Sequence, residues 1–215
     1  MIIEIPEPAL IVLVGPAGAG KSTFAARLFA ADEIVSSDAI RAGLTGSDAD
    51  QSRNGVVFRV LNDEVAQRLR GGGSAVVDAT NVERHARRAL LRLATTVDAP
   101  AIAIVFELPL DEVLARNSAR PGRPVPTDVV TRQWEALGRA LRADLLDGEG
   151  FAAVHLLSGA ESIEEARIAR NPRLAPPRAE RRESGTTAQT AEVVRYERGA
   201  ITGDAKVRSR VDPER

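Results

Sequence analysis

The sequence contains no cysteine, which removes disulfides, thiolate metal sites and thiol nucleophiles from consideration. Aromatic residues make up only 3%, so a core has to be aliphatic, built from Leu, Val, Ile and Ala. Long apolar runs are missing as well: none approaches the ~20 residues that a membrane-spanning helix needs. The first residues, Met1-Ile2-Ile3-Glu4-Ile5-Pro6, lack the basic start and extended apolar stretch of a signal peptide. The expectation is a cytoplasmic protein with no membrane attachment. An excess of one charge sign is absent too, since net charge is −1. Residues 172–215 hold ten Lys/Arg against seven Asp/Glu, leaving 19 against 23 in residues 1–171. That slightly acidic stretch lacks the broad basic surface on which binding of long nucleic acid draws. A narrow pocket for a strand end needs no such surface.

What is present is the composition of a globular chain: 215 residues, 44% hydrophobic and 27% charged, enough for one ordinary domain and a tail. Short apolar, β-branched runs at 10–14, 34–36, 75–78, 101–108 and 154–157 read as strands. Between them, 3.6-residue apolar spacing reads as helices over 21–31, 55–69, 83–95, 110–117, 127–146 and 161–170. Near-continuous apolar strands alternating with helices predict an α/β fold with a five-stranded parallel sheet covered on both faces. From Pro172 onward the periodicity is lost, and 172–215 reads as a polar, flexible tail, with at most one strand at 193–196. The domain reading is thus 1–171 and 172–215.

Gly15-Pro16-Ala17-Gly18-Ala19-Gly20-Lys21-Ser22-Thr23 follows the first strand and opens the first helix. It matches the phosphate-binding pattern G-x-x-x-x-G-K-[ST]. Glycines let the backbone curl so that successive N–H groups face phosphate oxygens, and the helix adds the positive end of its dipole. Lys21 is placed to neutralise β- and γ-phosphate charge, and the Ser22 hydroxyl to ligate Mg²⁺. The loop therefore predicts ATP as the donor. Asp78 ends the run Ala75-Val76-Val77, as an aspartate oriented toward Mg²⁺ would; a turn or capping residue is the plainer reading. Thr80 and Asn81 either add polar groups near the phosphates or cap the next helix.

Ligands of such sheets bind at the carboxyl ends of the strands, and Ser37-Asp38 also follows one. A carboxylate there can take the proton of a hydroxyl attacking the γ-phosphate. Arg41, three residues on, shares a helical face with it and can hold an acceptor phosphate bidentately; a capping aspartate beside a solvated arginine is the alternative. Arg116, Arg120 and Arg123 enter a Pro/Gly-rich segment suited to a lid whose arginines offset charge developing during transfer, or else form a solvated charge run. Trp134, Phe58 and Phe106 read as core or packing residues, with a base-stacking role the lesser alternative. His85 and His155 lack metal-ligand spacing and read as structural.

Taken in order, these segments resemble the kinase domain of bacterial polynucleotide kinase–phosphatase, an RNA repair enzyme, over about residues 8–170. The similarity is carried by the loop, by Ser36-Ser37-Asp38 with Arg41, and by the acidic turn Asp48-Ala49-Asp50-Gln51-Ser52. It continues through Val76-Val77-Asp78-Ala79-Thr80-Asn81-Val82, Ala103-Ile104-Val105-Phe106, Arg116-Asn117 with Arg120 and Arg123, and Glu149-Gly150-Phe151. The resemblance implies the adenylate-kinase-like strand order 2-3-1-4-5. It implies Asp38 as general base for a 5′-hydroxyl of RNA or DNA, and Arg41 as a contact to the neighbouring phosphate. It further implies Lys21 and Ser22 on ATP and Mg²⁺, with Arg116, Arg120 and Arg123 as lid residues on the triphosphate. The family enzyme continues into phosphatase and ligase domains where this chain has a polar tail. The expectation is a stand-alone kinase, acting with separate partners or on another acceptor, and compatible with a homo-oligomer. A kinase for a small phosphorylated acceptor, a sugar, an antibiotic or a nucleotide-sugar is the second reading, and a non-catalytic ATP-dependent switch the third.

Overall fold

A computed structural model describes residues 1–45, 54–120, 124–142 and 146–171. Its elements are β1 (Ile2–Pro6), β2 (Leu10–Val14), α1 (Lys21–Leu28), β3 (Ile34–Ser36), α2 (Ser37–Thr45), α3 (Asn54–Arg70), β4 (Ala75–Asp78) and α4 (Arg84–Thr96). They continue as β5 (Ala101–Glu107), α5 (Leu110–Ser118), α6 (Thr127–Arg142), β6 (Ala153–Ser158), α7 (Ala160–Glu165) and β7 (Arg167–Asn171). No helix among the described residues is long and apolar enough to cross a membrane.

Five strands form one parallel sheet in the order β3-β4-β2-β5-β6. Counted along this sheet alone, that is the order 2-3-1-4-5 that the resemblance implies. Because side chains alternate across a strand, β2 feeds two cores. Leu10, Val12 and Val14 pack with Leu61, Val65, Leu90 and Leu137 on one face, while Ile11 and Leu13 pack with Phe24, Phe106, Val113 and Ile163 on the other. All five residues of β2 are buried, which is why it reads as an uninterrupted apolar run.

Two strands differ from the sequence expectation: Ile2–Pro6, where no element is expected, forms β1, and β7 takes the place of helix. The helix read over 161–170 stops at Glu165, and Arg167–Asn171 instead forms β7, parallel to β1 with Ile3 opposite Ile168 and Ile5 opposite Arg170. Local propensity favours a helix through these residues. Tertiary pairing overrides it, because β1 offers an open ladder and Arg170 meets Glu33 at 2.6 Å and Glu7 at 3.3 Å. The helix read over 127–146 is described as Thr127–Arg142; residues 143–145 lie outside the described residues.

Candidate active site

The turn between β2 and α1 needs glycine at two points. Gly18 sits at φ +87° and Gly20 at φ +89°, a region that costs any residue with a Cβ. A Cβ on Gly18 would also stand 2.4 Å from the Val113 carbonyl oxygen, so this loop and α5 approach as closely as a bare backbone permits. Phe24 N–H makes the first bond of α1, to the Gly20 carbonyl. That leaves Lys21, Ser22 and Thr23 as the unsatisfied donors of a helix start. They open on a cavity of about 760 Å³, lined from the loop by Ala17, Gly18, Gly20, Lys21, Ser22 and Thr23. Gly15, Pro16 and Ala19 lie behind that lining: Gly15 N–H donates to the Thr80 carbonyl, and Ala19 is buried.

Lys21 is buried and donates to the carbonyls of Gly15 at 2.9 Å and Pro16 at 2.8 Å. Burial lowers its pKa to about 8; the carboxylates of Asp78 and Asp38 oppose this, and Arg120 adds to it. An ammonium has three donors, so one remains for a ligand oxygen. Asp78 ends β4 opposite Ser36 in the sheet register, is 8% exposed, and faces the same cavity as Ser22. Among the described residues, no hydrogen-bond donor reaches its carboxylate within bonding distance; its backbone carbonyl receives the Ser37 hydroxyl at 3.5 Å. Two unclaimed oxygen donors, a carboxylate and a hydroxyl, suit a hard divalent cation that takes its other ligands from phosphates and water.

Asp38 lies in the first turn of α2, where a carboxylate complements the helix dipole. Its Oδ1 accepts from Arg41 Nη1 at 2.7 Å and its Oδ2 from Arg120 Nη2 at 2.9 Å. Arg41 Nη2 donates in turn to Asn54 Oδ1 at 3.2 Å. Residues separated in sequence by up to 82 positions thus meet at one carboxylate. Arg116 lines the cavity beside Gly20 and pairs with Glu112 at 2.6 Å. Arg123, the turn 48–52 and residues 172–215 lie outside the described residues.

Several supporting residues hold the site in roles that the sequence did not assign to them. Gln133 on α6 accepts the Ala17 N–H at 2.9 Å, holding the loop from above. Asn117 receives the Val125 N–H and donates to the Val125 carbonyl, clasping the two stems of the segment that bears Arg120. Behind Asp78, Asn81 adopts φ +49° and donates to the Leu13 carbonyl at 2.8 Å. Its own carbonyl and that of Val82 receive Arg87 Nη1, while Arg87 forks onto Glu149 at 2.7 and 2.6 Å. Phe106 is core and Trp134 is half-buried with its indole N–H on the Leu108 carbonyl. Phe58 is a correction: it is 39% exposed and lines the cavity with Asp38 and Asn54, because α3 turns Val57 and Leu61, not Phe58, toward the sheet. His85 is exposed on α4, and His155 lies in β6, where burial lowers its pKa.

A family model described as an AAA domain matches residues 10–143. A comparison with curated proteins gives no match. Among solved structures, the chain is similar to one in the Pnkp1/Rnl/Hen1 RNA repair complex, with 24% identity, a TM-score of 0.57, and coverage of 65% of this chain and 47% of that one. It is also similar to one in the AvrRxo1-ORF1:-ORF2 complex with ATP, with 19% identity, a TM-score of 0.54, and coverage of 73% and 56%. The chain therefore spans about half the length of these structures. At such identities the likeness shows a shared fold.

Proposed function

The chain belongs to the AAA-domain family of P-loop proteins, and from that premise we propose that it is an ATP-dependent phosphotransferase whose acceptor is a hydroxyl, favoured as the 5′-hydroxyl end of RNA or DNA. The single observation that carries this is Asp38, a carboxylate at a strand's carboxyl end that shares one cavity with the glycine-rich loop and Lys21. A loop alone binds a triphosphate; a carboxylate facing it adds a place for a second substrate.

In this reading the loop N–H groups and the third donor of Lys21 hold the β- and γ-phosphates of ATP. Ser22 and Asp78 are the residues that would hold Mg²⁺, which when bound would offset the negative charge of the phosphates. Asp38 accepts the acceptor's hydroxyl proton as its oxygen bonds to the γ-phosphorus; the bond to the β,γ-bridging oxygen breaks and ADP leaves. Arg120, which already reaches Asp38, and Arg116 at the mouth of the loop serve the transferring phosphoryl group, and Arg123 joins them as a lid residue. Arg41, fixed between Asp38 and Asn54, places positive charge where an acceptor phosphate would lie. Residues 1–171 would form the kinase domain and 172–215 a polar tail. Incubation with γ-labelled ATP and a panel of 5′-hydroxyl RNA, 5′-hydroxyl DNA, sugars and sugar phosphates tests the assignment. Label on the oligonucleotides supports it; label only on a small alcohol moves the acceptor to the second reading, which the slightly acidic residues 1–171 accommodate.

Lys21 gives a pH signature. A phosphate bound to the ammonium raises a pKa that stands at about 8 in the free protein. Nucleotide binding above that pH therefore takes up a proton. The Kd for ATP is expected to be flat below about pH 8 and to rise above it, by at most about tenfold per pH unit. Lys21→Arg, charged throughout, is expected to flatten the profile in a calorimetric titration. A rise of equal slope in both proteins would remove Lys21 as its source.

A further inference from the structure

Phe58 is the only Phe or Trp among the described residues that is left exposed; Phe24, Phe29 and Phe106 are buried and Phe151 and Trp134 partly so. In a chain this poor in aromatics, the ring lies exposed where the cavity is also lined by Asp38, Arg41 and Asn54. Asn54 and Phe58 are four residues apart on α3 and so lie on one face, about 6 Å apart along the axis. Both line the cavity. Asn54 is tied to Arg41, and Arg41 to Asp38, so carboxylate, guanidinium, amide and ring follow one another along a single wall.

We propose that Phe58 is the platform for a planar base on the acceptor, making that acceptor a nucleoside-bearing alcohol rather than a simple sugar. This rests on the reading of Asp38 as the acceptor-hydroxyl site. A nucleotide presents a 5′-hydroxyl, an anionic phosphate and an aromatic base as three separate handles. The wall offers a proton acceptor, a fixed cation and a flat apolar face in the same compass. A sugar or sugar phosphate can lay only a C–H face on the ring and has no planar base to stack on it. Every base has a π-face, so stacking on Phe58 favours a nucleotide without strongly choosing among bases.

The test is calorimetric binding of 3′-AMP and of ribose 3-phosphate, which share hydroxyl and phosphate and differ in the base. The wild type is expected to bind 3′-AMP roughly 5- to 150-fold more tightly. Phe58→Ala is expected to erase that advantage while leaving ribose 3-phosphate affinity unchanged, and Phe58→Trp to retain it. Because Phe58 is at the surface, the alanine variant should keep the wild-type urea midpoint. No preference for 3′-AMP in the wild type, a preference that survives in Phe58→Ala, or equal weakening of both ligands would overturn the platform; the last two would leave the ring to packing or to a protein contact. Turnover is a separate reading: absence of label transfer from ATP to 3′-AMP or to a 5′-hydroxyl oligonucleotide contradicts the kinase assignment, whatever Phe58 does in binding.

Discussion

Asp38→Ala is expected to lower phosphoryl transfer by roughly 10²- to 10⁴-fold, the usual range for removing a positioned general base. The Kd for ATP is expected to stay within a few-fold of the wild type. Among the described residues, the Asp38 carboxylate takes its hydrogen bonds from Arg41 and Arg120, so the phosphate cradle of Gly18, Gly20, Lys21 and Ser22 survives its removal. If anything, deleting a negative charge beside the cavity and releasing Arg120 favours the triphosphate. Asp38→Asn separates two roles: it keeps the hydrogen-bonding shape and loses the basicity, so it should be nearly as slow as alanine. Steady-state kinetics with a 5′-hydroxyl oligonucleotide, beside an independent titration of ATP, measure both quantities. Transfer at the wild-type rate in Asp38→Asn would make Asp38 an anchor for the two arginines and not a base.

The second large effect concerns stability. Arg87 and Glu149 each have side chains only 1% exposed, so Arg87 is solvated by the Glu149 carboxylate and by the carbonyls of Asn81 and Val82, and Glu149 by Arg87 with Arg84 at 3.7 Å. Glu149→Ala leaves a guanidinium buried without its counter-charge, and breaking such a pair costs about 3–5 kcal/mol. Whole domains are stable by only about 5–15 kcal/mol, so the loss should be plain in a urea titration at 25 °C. A paired replacement, Arg87→Met with Glu149→Leu, removes both charges together and should recover much of the difference. The local consequence is as informative. Arg87 pins the turn in which Asn81 holds φ +49° and bonds the Leu13 carbonyl, and Thr80 in the same turn accepts the Gly15 N–H. Loss of the pair should therefore loosen Asp78 and the glycine-rich loop before the rest of the sheet. Hydrogen exchange at Gly15 and at residues 79–82 would detect that loosening, and exchange unchanged there would make the pair a purely global support.

The elements whose signal is local were legible in the sequence. β2 is apolar at every position because both of its faces are covered, and the loop after it carries glycines at the two points where φ is positive. Asp38 and Arg41 lie three residues apart on one helix, so spacing alone placed them on one face, and the structure adds their contact at 2.7 Å. What stayed hidden depends on distant partners. Arg167–Asn171 pairs with β1 across the whole length of the described chain, and nothing in Arg-Ile-Ala-Arg-Asn announces a strand. Arg120 meets Asp38 only because the sheet brings their loops to one end. Phe58 reads as packing because it falls beside Val57 and Leu61 in sequence; a rotation of one residue on α3 decides which side chains face the core, and apolar spacing resolves that stripe too loosely to exclude Phe58. Gln133 and Asn117, neutral amides in amphipathic helices, gave no sign that each would secure a loop of the cavity.

The most direct test of the central claim is ADP formation from ATP in the presence of a 5′-hydroxyl oligonucleotide, of the same oligonucleotide already 5′-phosphorylated, and of neither. Phosphoryl transfer to the 5′-hydroxyl predicts ADP formation that saturates with the hydroxyl strand, with one phosphate gained by the strand for each ADP released, and only a slow residual rate in the other two reactions. ADP formed at one slow rate in all three, with no phosphate on the strand, would contradict it.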